Sequence, residues 1–333
     1  MVAARGEDQT MRLLTVLADT YNPGGWVDRL VEQEFGVDSG WTVTRAKVAG
    51  AGALADVDAV LVLMAPIPRA AVADANRLRL IQTASRGYDA VDIAAAAERK
   101  IPVCNVLTPG HAGTVAEHTF ALLLAVAKRV AEGDAAIAQG AWPTGSLFAA
   151  GLSELGGKTL GIVGLGEIGK EVARRADAFG MALLYSDDVA APEHERRYGM
   201  TRVDLDDLLQ IADVVTLHVP LTADTTRLIG ERELALMKPG AVLLNTSRGA
   251  VVDLDALAAA LHRGNLLAGL DVFDPEPPPR DHPILSAPNV VRSPHIGGVT
   301  AESVRRVLDD AFANIRRLGR GEPVLNVVNG VVA

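Results

Sequence analysis

Short apolar runs rich in Val, Leu and Ile alternate along the chain with longer stretches whose apolar residues recur every three or four positions. The first kind reads as strands buried on both faces and the second as amphipathic helices, an alternation that predicts parallel sheets covered by helices. In the first third the predicted strands are "RLLTVLA" (12–18), "WTVTRAKV" (41–48), "AVLVLM" (59–64), "LRLIQTA" (78–84) and "IPVCNV" (101–106). The Ala- and Leu-rich stretch "VAEHTFALLLAVAKRVAEG" (115–133) predicts one long helix, and "GAWPTGSLFAAG" (140–151) reads as a loop. A second series follows, with strands expected at "KTLGIVG" (158–164), "ALLYSD" (182–187), "VVTLHV" (214–219), "AVLLNTS" (241–247), "LAGLDVF" (267–273) and "NVVRSP" (289–294). The segment "TAESVRRVLDDAFANIRRLGRG" (300–321) predicts a closing helix. No repeat of fixed period interrupts this order, so two α/β units are expected, meeting near the long helix.

Composition narrows the function classes. The 333 residues, 49% apolar and 22% charged, suffice for two domains with sizeable cores. A net charge of -9 leaves no basic stripe to neutralise phosphates, so no nucleic-acid partner is expected. The longest apolar run, "AVLVLMAPIP" (59–68), is too short to cross a bilayer, and no membrane partner is expected. The start, "MVAARGEDQTMR", lacks the apolar core of a signal peptide and reads as a short disordered leader. Cys104 is the sole cysteine; it lies in an apolar run, reads as buried and inert, and with the absent signal peptide suggests a cytoplasmic location. No Cys/His spacing suggests a metal site.

Chemistry enters at "VGLGEIG" (163–169), where Gly164, Gly166 and Gly169 form a GxGxxG turn. A strand-like run precedes it, and Ile168, Val172, Ala176 and Phe179 follow at helical spacing, with Gly180 placed to cap the helix. Such a turn permits close approach of a pyrophosphate to a helix N-terminus. Asp187 stands 18 residues beyond Gly169, at the end of the next strand, where a carboxylate accepts from an adenosine ribose and repels a 2′-phosphate. The expected cofactor is therefore NAD. Three further polar residues stand just past predicted strand ends: Arg248, Glu276 and His295. Open parallel sheets bind ligands at those ends. A guanidinium there holds a carboxylate, an imidazolium protonates a nascent alkoxide, and a carboxylate keeps that imidazole oriented and charged. Together they suit reduction of a carbonyl beside a nicotinamide.

The chain resembles the D-isomer-specific 2-hydroxyacid dehydrogenase family over nearly its whole length. The likeness is carried by "ASRGYDAVD" (84–92), "TVAEHT" (114–119), "GKTLGIVGLGEIG" (157–169), "LHVPLTADT" (217–225), "NTSRGAVVD" (245–253), "LDVFDPEP" (270–277) and "PHIGG" (294–298). It implies catalytic roles for Arg248, Glu276 and His295, with His295 as acid–base group. It further implies cofactor contacts from Gly164, Gly166, Glu167, Ile168, Gly169 and Asp187, and from His218, Val219, Pro220 and Thr225 around the adenosine. Thr246, Ser247, Arg248, Asp271, His295 and Gly297 complete the implied cofactor set, Asp271 at the nicotinamide carboxamide. Substrate contacts are implied for Ser85, Arg86 and Gly87, alongside Arg248 and His295. The implied architecture is two doubly wound parallel-sheet domains with a cleft between them that closes by hinge motion. A flavodoxin-like substrate domain takes residues 1–110 and 302–333, and a Rossmann NAD-binding domain takes 111–301. The resemblance also implies a homodimer and a small 2-oxo or 2-hydroxy acid as substrate.

Departures from the family bear on substrate. Arg86 stands where a small residue is common, and His111 where Asn is common. Phosphoglycerate dehydrogenases place an Arg where this chain has Met64 and Ala65, which argues against phosphoglycerate. Two alternatives remain at this point: a non-enzymatic NAD(H)-binding corepressor-like protein, which shares fold and triad, and a dehydrogenase of phosphite or another oxyanion. Of the other histidines, His118 reads as a structural hydrogen-bonding residue, while His194 and His262 read as solvated.

Overall fold

The computed structural model describes residues 10–19, 22–108 and 110–331, so nearly all of the expected leader lies outside the described residues. The chain divides into two compact units, Met1–Pro109 with Ala301–Ala333, and Gly110–Thr300.

In the first unit the strands are β1 (Met11–Leu17), β2 (Trp41–Ala46), β3 (Ala59–Leu63), β4 (Leu80–Thr83) and β5 (Val103–Cys104). All pair in parallel in the order β2-β1-β3-β4-β5, with α1 (Trp26–Phe35), α2 (Arg69–Ala73) and α3 (Ile93–Glu98) between them. Parallel central strands are buried on both faces, and β3 and β4 contain almost only buried residues. Cys104 is fully buried, and that burial pushes its thiol up to about 11, which keeps it protonated and unreactive.

The second unit opens with α4 (His111–Ala127), α5 (Val130–Ala138) and α6 (Thr144–Ala149). Its strands are β6 (Thr159–Val163), β7 (Ala182–Ser186), β8 (Thr201–Arg202), β9 (Val214–Leu217), β10 (Ala241–Asn245), β11 (Leu266–Leu270) and β12 (Val290–Arg292). They form one parallel sheet in the order β12-β11-β10-β9-β6-β7-β8. Helices α7 (Glu167–Ala178), α8 (Pro192–Tyr198), α9 (Leu205–Ile211), α10 (Glu231–Leu236) and α11 (Leu254–His262) connect the strands. The last helix, α12 (Ala301–Gly319), belongs to the first unit and buries Val307, Leu308, Ala311, Phe312, Ile315 and Leu318 in its core.

Two expectations fail in the second unit. The single helix over 115–133 is two helices, because Arg129 adopts a left-handed φ of 49° and buries its side chain. Its guanidinium donates to Glu132, to the Ala150 carbonyl and to Asn289, contacts a continuous helix would not place together. The stretch 140–151, expected as a loop, contains α6, none of whose residues is buried. The predicted strands also run one to four residues long at their ends.

Candidate active site

The reversal of strand order between β6 and β9 defines where this sheet opens at its carboxyl edge. Gly164 follows β6 there with φ +90°, and a Cβ on it would meet the His218 carbonyl and Val219 at 2.8–2.9 Å. A Cβ on Gly169 would meet the Gly164 carbonyl oxygen at 2.3 Å, so α7 packs too closely for any side chain. Gly166, the N-cap of α7, faces open space instead. One tight turn, one close packing and one open position in front of unpaired helix-start N–H groups are what a pyrophosphate needs. The residues therefore fit a dinucleotide. The Glu167 side chain pairs with Lys170 at 3.1 Å, and Ile168 packs toward the core.

Asp187 follows β7. Its carboxylate accepts from Leu165 N at 2.7 Å and Val189 N at 2.9 Å, which aims it across the glycine turn. Beyond β9, the His218 ring reaches Thr216 Oγ1 at 2.9 Å through Nε2, while Nδ1 is buried without a partner among the described residues. Desolvation lowers this imidazole to about 3, so it is neutral at ordinary pH. Thr225 closes its own turn by donating to the Pro220 carbonyl. The Thr246 and Thr119 hydroxyls meet at 3.0 Å in the core, and Ser247 donates to Asn245.

The polar residues past β10, β11 and β12 are built on one another. Asn245, buried at the end of β10, donates to the Arg248 carbonyl, and its Oδ1 accepts from the Ser247 N–H and Oγ. Gly249 packs so tightly that a Cβ would sit 1.9 Å from Phe273 C and O, which presses the Arg248 segment against the loop bearing Glu276. That loop holds cis peptide bonds before Pro275 and Pro277. Glu276 Oε1 accepts from Phe273 N at 2.9 Å, and its Oε2 lies 2.8 Å from His295 Nδ1. With Glu276 ionised, Nδ1 carries the proton of that pair.

His295 itself sits at φ +53°, a conformation that the loop around Asp271 imposes. Asp271 is 1% exposed and receives Ser293 Oγ at 2.6 Å, Ile296 N at 2.9 Å and Gly297 N at 2.8 Å, while its backbone carbonyl accepts from His295 N. Because the Ser293 proton goes to Asp271, its oxygen accepts from His118 Nε2 at 2.8 Å. Burial works against the Asp271 charge, but the bonds from His118, Ser293, Ile296 and Gly297 prevail and hold the carboxyl down at about 2. A Cβ on Gly297 would come within 2.8 Å of Asp271 Oδ2. His118 is thus a structural hydrogen-bonding residue as the sequence suggested, though its partners, Ser293 and Asp271, had no signal linking them to it.

In the first unit, Ser85, Arg86 and Gly87 follow β4. Ser85 Oγ donates to the Gly87 carbonyl, and Asn105 donates to the Arg86 carbonyl. Among the described residues, the Arg86 guanidinium makes no hydrogen bond or ion pair. Asp92 instead caps α3 and lies 3.6 Å from Arg69.

Comparisons with known proteins identify the family. The family model described as "D-isomer specific 2-hydroxyacid dehydrogenase, NAD binding domain" matches residues 120–297. The chain is 43% identical over 281 residues to a glyoxylate reductase of Thermococcus litoralis, covering 82% of this chain and 84% of that protein. A glyoxylate reductase of Korarchaeum cryptofilum is likewise 43% identical, over 82% of this chain and 83% of its own. Among solved structures, a D-lactate dehydrogenase from Aquifex aeolicus, complexed with NAD and lactic acid, superimposes with a TM-score of 0.82 at 29% identity, over 93% of this chain and 96% of its own.

Proposed function

We propose a specific reaction for this site from one premise: the chain belongs to the D-isomer specific 2-hydroxyacid dehydrogenase family. It is an NAD-dependent oxidoreductase of 2-hydroxy acids. Within that class we assign reduction of a small 2-oxo acid of the glyoxylate kind to the D-2-hydroxy acid, and the reverse oxidation. The contact of 2.8 Å between His295 and Glu276 carries this reading.

A nicotinamide dinucleotide held at the glycine turn and Asp187 would supply the hydride chemistry. Arg248 holds the substrate carboxylate through its planar fork and polarises the adjacent carbonyl. His295, with Nδ1 directed at Glu276, gives the Nε2 proton to the carbonyl oxygen as the hydride arrives and is left neutral; oxidation runs the same transfers backwards. Glu276 orients the ring and opposes the charge it carries before transfer. Asp271 fixes the loop of His295 and is assigned to the nicotinamide carboxamide. The small substrate is supported by the relatives named glyoxylate reductase, 43% identical over four-fifths of this chain. The deciding experiment is NADH oxidation, followed by absorbance, against glyoxylate, hydroxypyruvate, pyruvate, phenylpyruvate and 2-oxoglutarate. Turnover with glyoxylate or hydroxypyruvate at the highest kcat/KM is expected; activity with none of the five rejects the assignment.

Asp187 leads to a second expected outcome. NADH should exceed NADPH in kcat/KM by about 10²-fold, since a carboxylate aimed at the ribose repels a 2′-phosphate. Equal efficiencies would remove Asp187 from ribose recognition.

Arg86 leads to a third. We assign its guanidinium to a second anionic group on larger substrates, a role supported by its lack of a competing carboxylate among the described residues. Arg86→Ala should lower kcat/KM for 2-oxoglutarate about 10-fold or more while changing pyruvate little. Equal losses on both substrates would return Arg86 to the surface.

Homodimerisation is assigned to the face carrying Val130, Ile137, Trp142, Phe148 and Leu152, all exposed, with Trp142 at 82% and Phe148 at 77%. Helices α5 and α6 bury no residue within their own unit, and apolar surface of this kind marks interfaces. Trp142→Glu with Phe148→Glu should sediment as a monomer where the wild type sediments as a dimer. A wild type that sediments as a monomer, or a variant that stays dimeric, would reject this face.

A further inference from the structure

The β7 exit loop is gripped by a cation to which the proposed reaction gives no role. Arg202, on the edge strand β8 and paired in register with Tyr185, donates from Nε to the Asp187 carbonyl at 2.9 Å. From Nη2 it donates to the Asp188 carbonyl at 3.0 Å. Neutral carbonyls leave its charge intact. Among the described residues it meets no carboxylate, and Nη1 makes no hydrogen bond. The loop it grips is fixed at its other end by Tyr185, whose hydroxyl donates to Glu195 and accepts from Ala191 N. A guanidinium is therefore held by two hydrogen bonds beside Asp187, the residue assigned to the ribose, and an arginine in that neighbourhood is the usual partner of a 2′-phosphate.

We propose that Arg202 forms a latent 2′-phosphate site, silenced by the Asp187 carboxylate. Selection against a 2′-phosphorylated dinucleotide then rests on one negative charge masking a positive one already in place, rather than on the lack of a cation. The inference rests on reading Asp187 as the ribose acid. Removing the Asp187 charge without losing its shape should expose the site. Asn at this position keeps an oxygen to accept from Leu165 N, so the glycine turn retains its support.

The test is calorimetric titration of the full chain with adenosine 2′,5′-bisphosphate and with ADP, which needs no turnover. Asp187→Asn should bind the bisphosphate about 10-fold more tightly than wild type, as a charge-assisted bond gives, with ADP changed much less. The double variant Asp187→Asn, Arg202→Gln should lose that gain, and Asp187→Asn, Arg202→Lys should keep part of it, because charge remains while the planar fork is lost. A gain that survives Arg202→Gln overturns the role of Arg202 and leaves the ribose assignment standing. No gain in Asp187→Asn, with ADP still bound, overturns the ribose assignment and this inference with it. Thermal unfolding of each variant separates a lost site from a lost fold.

Discussion

Replacing His295 with alanine lowers kcat by about 10²–10⁴-fold and leaves the dissociation constant of NADH within about threefold of wild type. The split follows from what the side chain does. Its Nδ1 is committed to Glu276, and its other nitrogen is assigned a proton that moves only in the transition state. Binding of the dinucleotide is assigned mainly to the glycine turn, α7 and Asp187, which follow β6 and β7 and not the loop after β12 that carries His295. Alanine is the right replacement, because it meets the same left-handed φ of 53° as histidine; glycine would relax the loop and confound the result. The backbone bond from residue 295 to the Asp271 carbonyl survives the change. Stopped-flow measurement of hydride transfer checks the prediction, and a kcat within twofold of wild type would sink the proposed mechanism.

Asp271→Ala should cost about 3–5 kcal/mol of stability, the summed penalty of leaving several buried donors without their acceptor. The Ser293 hydroxyl and the Ile296 and Gly297 N–H groups would lose the oxygens they donate to, in a site that is 1% exposed. A loss of that size lowers the unfolding temperature of a unit this large by about 6–20 °C. The pH dependence has a definite sign. Folding lowers this carboxyl from 3.8 to about 2, so its contribution is complete above 3.8 and fades as pH falls through about 2. Calorimetry at pH 5 and pH 7 should therefore show the same gap between wild type and variant. A gap of a degree or less at both pH values would mean that the loop is held by something else.

The strand cores were legible because parallel strands buried on both faces are written as unbroken runs of Val, Leu and Ile, and β10 buries all five of its residues. Their ends were not, because apolar character continues after the ladder stops. "AVLLNTS" leaves the sheet at Asn245, whose side chain takes over the hydrogen bonding of Ser247 and Arg248. The break in the long helix was hidden for a related reason. Lys128 and Arg129 look like ordinary helix formers, and only the folded positions of Ala150 and Asn289 make burying Arg129 worthwhile. In the site, Glu276 and His295 could be named because each stands just past a strand end. The network around Asp271 could not, because His118 and Ser293 are 175 positions apart and meet only after α4 lies along the sheet. Arg202 was missed because the two-residue strand that carries it is too short to leave a pattern.

The contact of Gly249 with Phe273 and Asp274 leaves no room for a methyl group. The segments bearing Arg248 and Glu276 are consequently locked into one rigid piece, and neither can drift in sequence or shape without dragging the other. A lineage adapting to a new substrate has little freedom there. Sequence variation should accumulate instead in turns such as Ser85–Gly87, held by only a few bonds among its own residues and to Asn105 and Val106.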